Sequence, residues 1–316
     1  MISLMVIGLF IAGIIAGVFL PNRPRLLELT DRLVMVAVFA LLFFLGISVG
    51  TDPRIVNNIT TLGWQAVAIS SGAILGSLLL AKLMASVFRE DSSNPPVKRG
   101  RSTASFSDKF IKVLKSQSLW ILLVFLAGTS GSFFKLFPAV WGDESVSTGT
   151  LYIMMILVGI SIGGDPRAFE ILKRTSYRIL LVPVIVVLGS LGGSILVSLL
   201  ISNIDVANGM AVGAGFGYYS LSAIFIGQIS GSEMGVIALL ANIFREIITL
   251  TAAPFLVRWF GKLGAIASGG ATAMDTTLPV IVKATGKDYA IISIFSGIVL
   301  SVLVPVLVPL ILEYFA

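Results

Sequence analysis

Eight long apolar stretches constrain this chain more than any other feature. They cover residues 1–20, 33–50, 62–88, 118–134, 148–163, 179–201, 234–257 and 290–312. A helix needs about 20 apolar residues to cross a bilayer core. With a mean hydropathy of +1.01 and 12% charged residues, the sequence predicts an all-α polytopic membrane protein. The first stretch, MISLMVIGLFIAGIIAGVFL, lacks a basic leader and reads as a retained span.

Composition excludes several chemistries. There is no cysteine and no histidine, so neither thiolate sites nor imidazole proton shuttles are available. No nucleophile triad, P-loop or metal cluster stands out. The expectation is a non-enzyme without cofactor or metal. The net charge of +6 does not point to nucleic acid, because basic residues of a membrane protein collect in cytoplasmic loops.

Loop charges orient the spans. Segments 21–32, 89–117 and 164–178 hold most of the lysines and arginines, whereas 51–61 and 138–147 hold few. The positive-inside rule then places the N-terminus outside. Two Gly-rich segments, 205–231 and 264–286, are apolar but interrupted by polar residues. If each dips into the membrane and returns, the remaining loop charges fall on the correct sides. This predicts eight transmembrane helices plus two re-entrant or broken segments, with both termini outside. A ten-span path gives the same termini with worse loop charges.

Internal repeats support that path. GISVGTDPR at 46–54 matches GISIGGDPR at 159–167, an offset of 113. Each copy lies in a three-span unit, 1–88 or 118–201. Three is odd, so the second unit is inverted. A weaker alignment pairs Gly215 with Gly270, Ser220 with Asp275 and Gly231 with Gly286. Inverted repeats with broken elements at midplane are typical of secondary transporters. The domain reading is therefore 1–88 as first repeat, 89–117 as basic cytoplasmic linker, 118–201 as second repeat and 202–316 as core. That core contains the two re-entrant segments and helices 234–257 and 290–312.

Three motifs carry candidate chemistry. In GAGFGYYSLS (213–222), glycines loosen the backbone, and Tyr218, Tyr219 and Ser220 offer hydroxyls and aromatic faces for an ammonium group. In SGGATAMDTTLP (268–279), Asp275, Thr276 and Thr277 follow two glycines. Asp275 suits either a half-helix cap or a ligand site. In ANIFREIITL (241–250), Asn242 and Glu246 share a helix face, and Arg245 lies about 100° round from Glu246. If Arg245 is bound elsewhere, Glu246 is left to face a cavity and exchange a proton. The alternative is a structural ion pair. Asp143 and Glu144 are expected at the outer mouth. Asp52 and Asp165 close the repeated motif and suit turns before proline.

Taken together, GFGYYSLS, N-x-x-R-E and GGATAMDTTLP resemble the LysO-type lysine exporter family over nearly the whole chain. The resemblance implies export of L-lysine and toxic lysine analogues across the cell (inner) membrane. It also implies two outside termini. The family's intramembrane acid maps onto Glu246, and its outer acidic position maps loosely onto Asp143 or Glu144. Lysine needs acceptors for two ammonium groups, which Glu246, Asp275 and the tyrosine faces provide. Its carboxylate needs donors, from half-helix amides or Arg245. Protons are the expected exchange ion, with Na+ as the alternative. The expected partners are thus L-lysine, the coupling ion and the lipid bilayer, with a homo-oligomer left open. The rival reading is a cation-coupled organic-anion transporter of similar inverted-repeat architecture.

Overall fold

The structure is a computed structural model that describes residues 2–19, 24–84, 117–137, 144–164, 177–201 and 203–315. Among these residues the regular structure is helical. In order come α1 (Ile2–Val18), α2 (Pro24–Thr51), α3 (Pro53–Asn57), α4 (Ile59–Met84), α5 (Gln117–Phe133), α6 (Glu144–Gly164) and α7 (Tyr177–Ser198). Then follow α8 (Val206–Gly213), α9 (Tyr219–Ser230), α10 (Ser232–Phe260), α11 (Lys262–Gly269), α12 (Leu278–Thr285) and α13 (Tyr289–Tyr314), with a 3-10 turn at Gly270–Met274. Residues 89–116 of the expected linker, Asp143, and Asp165 with its neighbours lie outside the described residues.

Six of the described helices are long and apolar enough to cross a membrane. Helices α1 and α5, at 17 residues each, are the shorter apolar ones. The stretch 21–32, read from sequence as a loop, is helical from Pro24 onward. Proline suits a first helical position, and Arg32 pairs with Glu28 one turn away at 2.6 Å.

Small residues let the long helices approach closely, as expected where lipid supplies no hydrophobic drive between helices. Helices α4 and α7 cross antiparallel. A Cβ on Gly72 would meet the Gly193 carbonyl, and one on Gly76 would meet that of Gly189. Beside them Ser77 Oγ and Ser190 Oγ share a hydrogen bond of 2.9 Å across a separation of 113 residues. Helices α1 and α6 run parallel, with Gly13 against Ile156 and Gly17 against Ile160. Helices α2 and α5 do the same, with Gly128 against Phe43 and Gly50 against Thr129. The α4–α7 crossing yields a prediction. Gly189→Leu would drive its side chain into the Ser77 backbone and abolish recovery of monodisperse protein in detergent. Gly192→Leu, where an added Cβ meets nothing within 4 Å, would leave the size-exclusion profile unchanged.

The chain then breaks twice. Helix α8 runs back along α7, with Gly209 against Ser198 and Gly213 against Ser194. Asp205 starts α8 by accepting a 2.6 Å hydrogen bond from the Asn208 amide. After a turn at 214–217, α9 ends beside α6, where Gln228 donates to Ser147 Oγ at 2.8 Å and accepts from Thr148 at 3.1 Å. The next residues start α10, whose Ser232 shares a 2.5 Å hydrogen bond with Ser48 of α2. The second break follows α10. Helix α11 comes first, the 3-10 turn intervenes, and α12 follows. Lys262 and Tyr289, at the two ends of this stretch, meet with the ammonium 4.9 Å from the ring centre. Gly231 and Gly286 end α9 and α12 with nearly equal backbone angles, φ 93 and ψ 162 against φ 102 and ψ 160. Only glycine adopts such angles at little cost.

Candidate functional site

The two breaks meet in the interior, and α10 holds them together. Phe216 accepts a 2.8 Å hydrogen bond from the Ala271 amide, joining one unwound segment to the other. Gly270, at φ 59, lies directly under the Phe216 carbonyl, so no larger residue fits there. Gly217, at φ 91, lies against the Gly269 carbonyl.

Asn242 secures the first break. Its Oδ1 accepts from the Gly217 amide at 2.7 Å, and its Nδ2 donates to Ser222 Oγ at 3.1 Å and the Ala238 carbonyl at 2.9 Å. Backbone freed from a helix inside a membrane protein needs such partners. Asn242→Leu removes the acceptor for Gly217 and orphans its buried N–H. The expected loss is about 1–3 kcal/mol, read as a lower thermal midpoint in detergent.

Arg245 secures the second break. Its side chain is 2% exposed. Nε donates to the Ser268 carbonyl at 3.0 Å and Nη2 to the Ala267 carbonyl at 2.8 Å. Nη1 donates to Ser190 Oγ at 2.8 Å, and Ser77 Oγ lies 3.5 Å from Nη2. The guanidinium therefore caps the C-terminus of α11, where unpaired carbonyls and the helix dipole favour a cation. It also touches the place where α4 and α7 cross.

Glu246 is buried, with 1% exposed. Its position follows from register. Asn242 lies four residues before it and Thr249 three after, all on one face of α10. Asn242 binds the first break, and Thr249 Oγ1 hydrogen-bonds Ser268 Oγ of the second at 2.7 Å. Glu246 thus lies between residues that hold different breaks.

The other sequence candidates separate into two environments. Tyr219, Ser220 and Thr277 are buried. Tyr218 and Thr276 are half-buried, and Asp275 is exposed. Asp275 accepts from the Thr276 amide at 2.5 Å. Tyr218 and Asp275 belong to different breaks, which the Ala271–Phe216 hydrogen bond joins. Glu144 opens α6, on a different element from these groups. Sequence reading missed Ser77, Ser190, Ser268 and Thr249, which complete the polar interior. Ser77 and Ser190 sit in apolar spans, and their only sequence signal is the offset of 113 that they share with the repeated motif.

Such a helical bundle, with buried charge against broken helices, defines a multi-pass membrane protein. A family model described as "Lysine exporter LysO" matches residues 7–107 and 122–312. The chain belongs to the lysine exporter LysO family. "Lysine exporter LysO" of Escherichia coli (strain K12) is 29% identical over 306 residues, covering 95% of this chain and 96% of that protein. A protein of Haemophilus influenzae named "Putative lysine exporter" is 35% identical over 160 residues, covering 50% of this chain and 80% of that protein. No solved structure matches the chain.

Proposed function

We propose that this protein exports L-lysine and toxic lysine analogues from the cytoplasm across the cell membrane, in exchange for protons, by alternating access. The observation that carries this reading is the buried Glu246, flanked on its helix face by the ties to both breaks. One carboxylate in that position serves either a lysine ammonium or a proton. Asp275 and the Tyr218 ring supply a second ammonium site. Neither Tyr218 nor Thr277 makes a side-chain cap at the start of α9 or α12. Amides at a helix N-terminus favour an anion, and here they suit the lysine carboxylate. Arg245, taken up by α11 and the serines, acts as a positioning residue.

The path proposed for the chain is eight spans with two re-entrant segments. Gly209 against Ser198 and Gln228 against Ser147 support it, because α8 starts near the C-terminal end of α7 and α9 finishes near the N-terminal end of α6, ends that share one face if α6 and α7 are successive spans. The 113-residue separation of the Ser77–Ser190 pair, equal to the motif offset, supports inverted repeats 1–88 and 118–201. Both termini are then outside, as the loop charges favour. The linker 89–117 is assigned to the cytoplasm, and Asp143 and Glu144 to the outer mouth.

Counterflow of labelled lysine into proteoliposomes tests the reading. Lysine-loaded vesicles should take up label, and unlabelled lysine should compete while dicarboxylates do not. Competition by dicarboxylates alone would replace lysine export with the organic-anion reading. Substituting Na+ for K+ at fixed pH should leave the rate unchanged if protons are the coupling ion.

A further inference from the structure

We propose that the groove between α4 and α10 is a binding site for an anionic phospholipid. The groove has a volume of about 470 Å³ and is lined by Ile74, Leu75, Leu78, Phe255, Trp259 and Phe260, among others. That is the size of a small-molecule site, roughly 300–1,000 Å³. Its walls are apolar and outward-facing, with Leu75 52%, Phe255 65% and Trp259 66% exposed. An acyl chain fits such a surface.

The headgroup preference comes from one end of the groove. Lys82, in the last turn of α4, holds its ammonium 5.8 Å from the centre of the Phe260 ring, which is itself part of the lining. Arg258, in the last turn of α10, is adjacent in sequence to Trp259. Both side chains are exposed. Long basic side chains near helix ends reach toward the headgroup layer, where anionic phosphates attract them. Apolar length with cations at one end matches one molecule of anionic lipid.

A second copy of this chain fits the groove less well. Membrane dimers related by a two-fold axis bring the same patch of each subunit together. Such a pairing would oppose Lys82 and Arg258 to their own copies, and like charges in contact disfavour it. Ile248, also in the lining, lies two residues beyond Glu246. A lipid in the groove therefore packs against the helix that holds both breaks. The proposal does not depend on what is transported.

Thermal unfolding of the purified full chain in detergent tests it, with phosphatidylglycerol or phosphatidylcholine added as the probe. Phosphatidylglycerol should raise the midpoint by several degrees more than phosphatidylcholine. The double variant Lys82→Gln, Arg258→Gln should lose that difference while keeping its midpoint in detergent alone. Leu75→Trp, which fills the groove, should also lose it with both cations in place. Equal shifts from the two lipids in the unaltered chain, or a preserved difference in the double variant, would overturn the proposal. The chain contains no cysteine, so Trp259→Cys introduces a single thiol. Efficient disulfide-linked dimers of that variant in membranes would assign the face to a second copy instead.

Discussion

Vesicles containing Glu246→Gln protein are expected to take up no more lysine than protein-free vesicles. Gln is nearly the same size as Glu, so the packing around a side chain that is 1% exposed is retained. What disappears is the ability to carry a negative charge or a transferable proton. The contrast with the unaltered chain is sharpest in vesicles with an acidic lumen. There, under the proposed one-for-one exchange, protons leaving down their gradient should drive lysine inward, and the unaltered protein should accumulate label. Moving one charge against the membrane potential costs about 2.3 kcal/mol per 100 mV. One-for-one exchange of lysine⁺ for H⁺ moves no net charge, so a potassium–valinomycin potential should leave the accumulation unchanged. A Glu246→Gln protein that transports at the original rate would sink the assignment of Glu246 as the exchange site.

Replacing Arg245 should act on stability before it acts on lysine affinity. Arg245→Lys keeps the charge but not the planar fork that meets Ala267, Ser268 and Ser190 at once. Arg245→Met also removes every donor. Each buried acceptor left without its donor costs about 1–3 kcal/mol, so thermal midpoints should fall in the order Arg, Lys, Met. The surviving Arg245→Lys protein should show a lowered maximal rate with a nearly unchanged KM for lysine. A large rise in KM with an unchanged midpoint would instead mark Arg245 as a ligand of the lysine carboxylate. It would also return the anion-transport reading to contention.

The helical, membrane-spanning class was legible because a run of uncharged apolar residues has few other fates. The two breaks were legible at GAGFG and SGG, where several glycines in close succession cannot sustain a helix. Helix ends were harder. Pro24 carries α2 past Arg25, Glu28 and Arg32, because charges at a membrane surface are compatible with a helix although they end an apolar run. The partner of Arg245 was not legible at all. Its acceptors are the main-chain carbonyls of Ala267 and Ser268 and the hydroxyl of Ser190. A carbonyl leaves no mark in a sequence, and a serine in an apolar span looks like any small packing residue. The contact of Phe216 with Ala271 was also hidden, since it joins segments more than fifty residues apart.

Ser77 and Ser190 bear on how this interior can change. These two residues, 113 positions apart, touch each other directly, hydroxyl to hydroxyl, with Gly76 and Gly189 beside them. At this contact each serine is the other's immediate neighbour. A larger side chain on one side therefore leaves room only for a smaller one on the other, and loss of the Ser190 hydroxyl also removes an acceptor from Arg245. The two positions should tolerate paired exchange far better than single change. A small library randomised at both sites and selected for lysine resistance would show that dependence as co-variation between them.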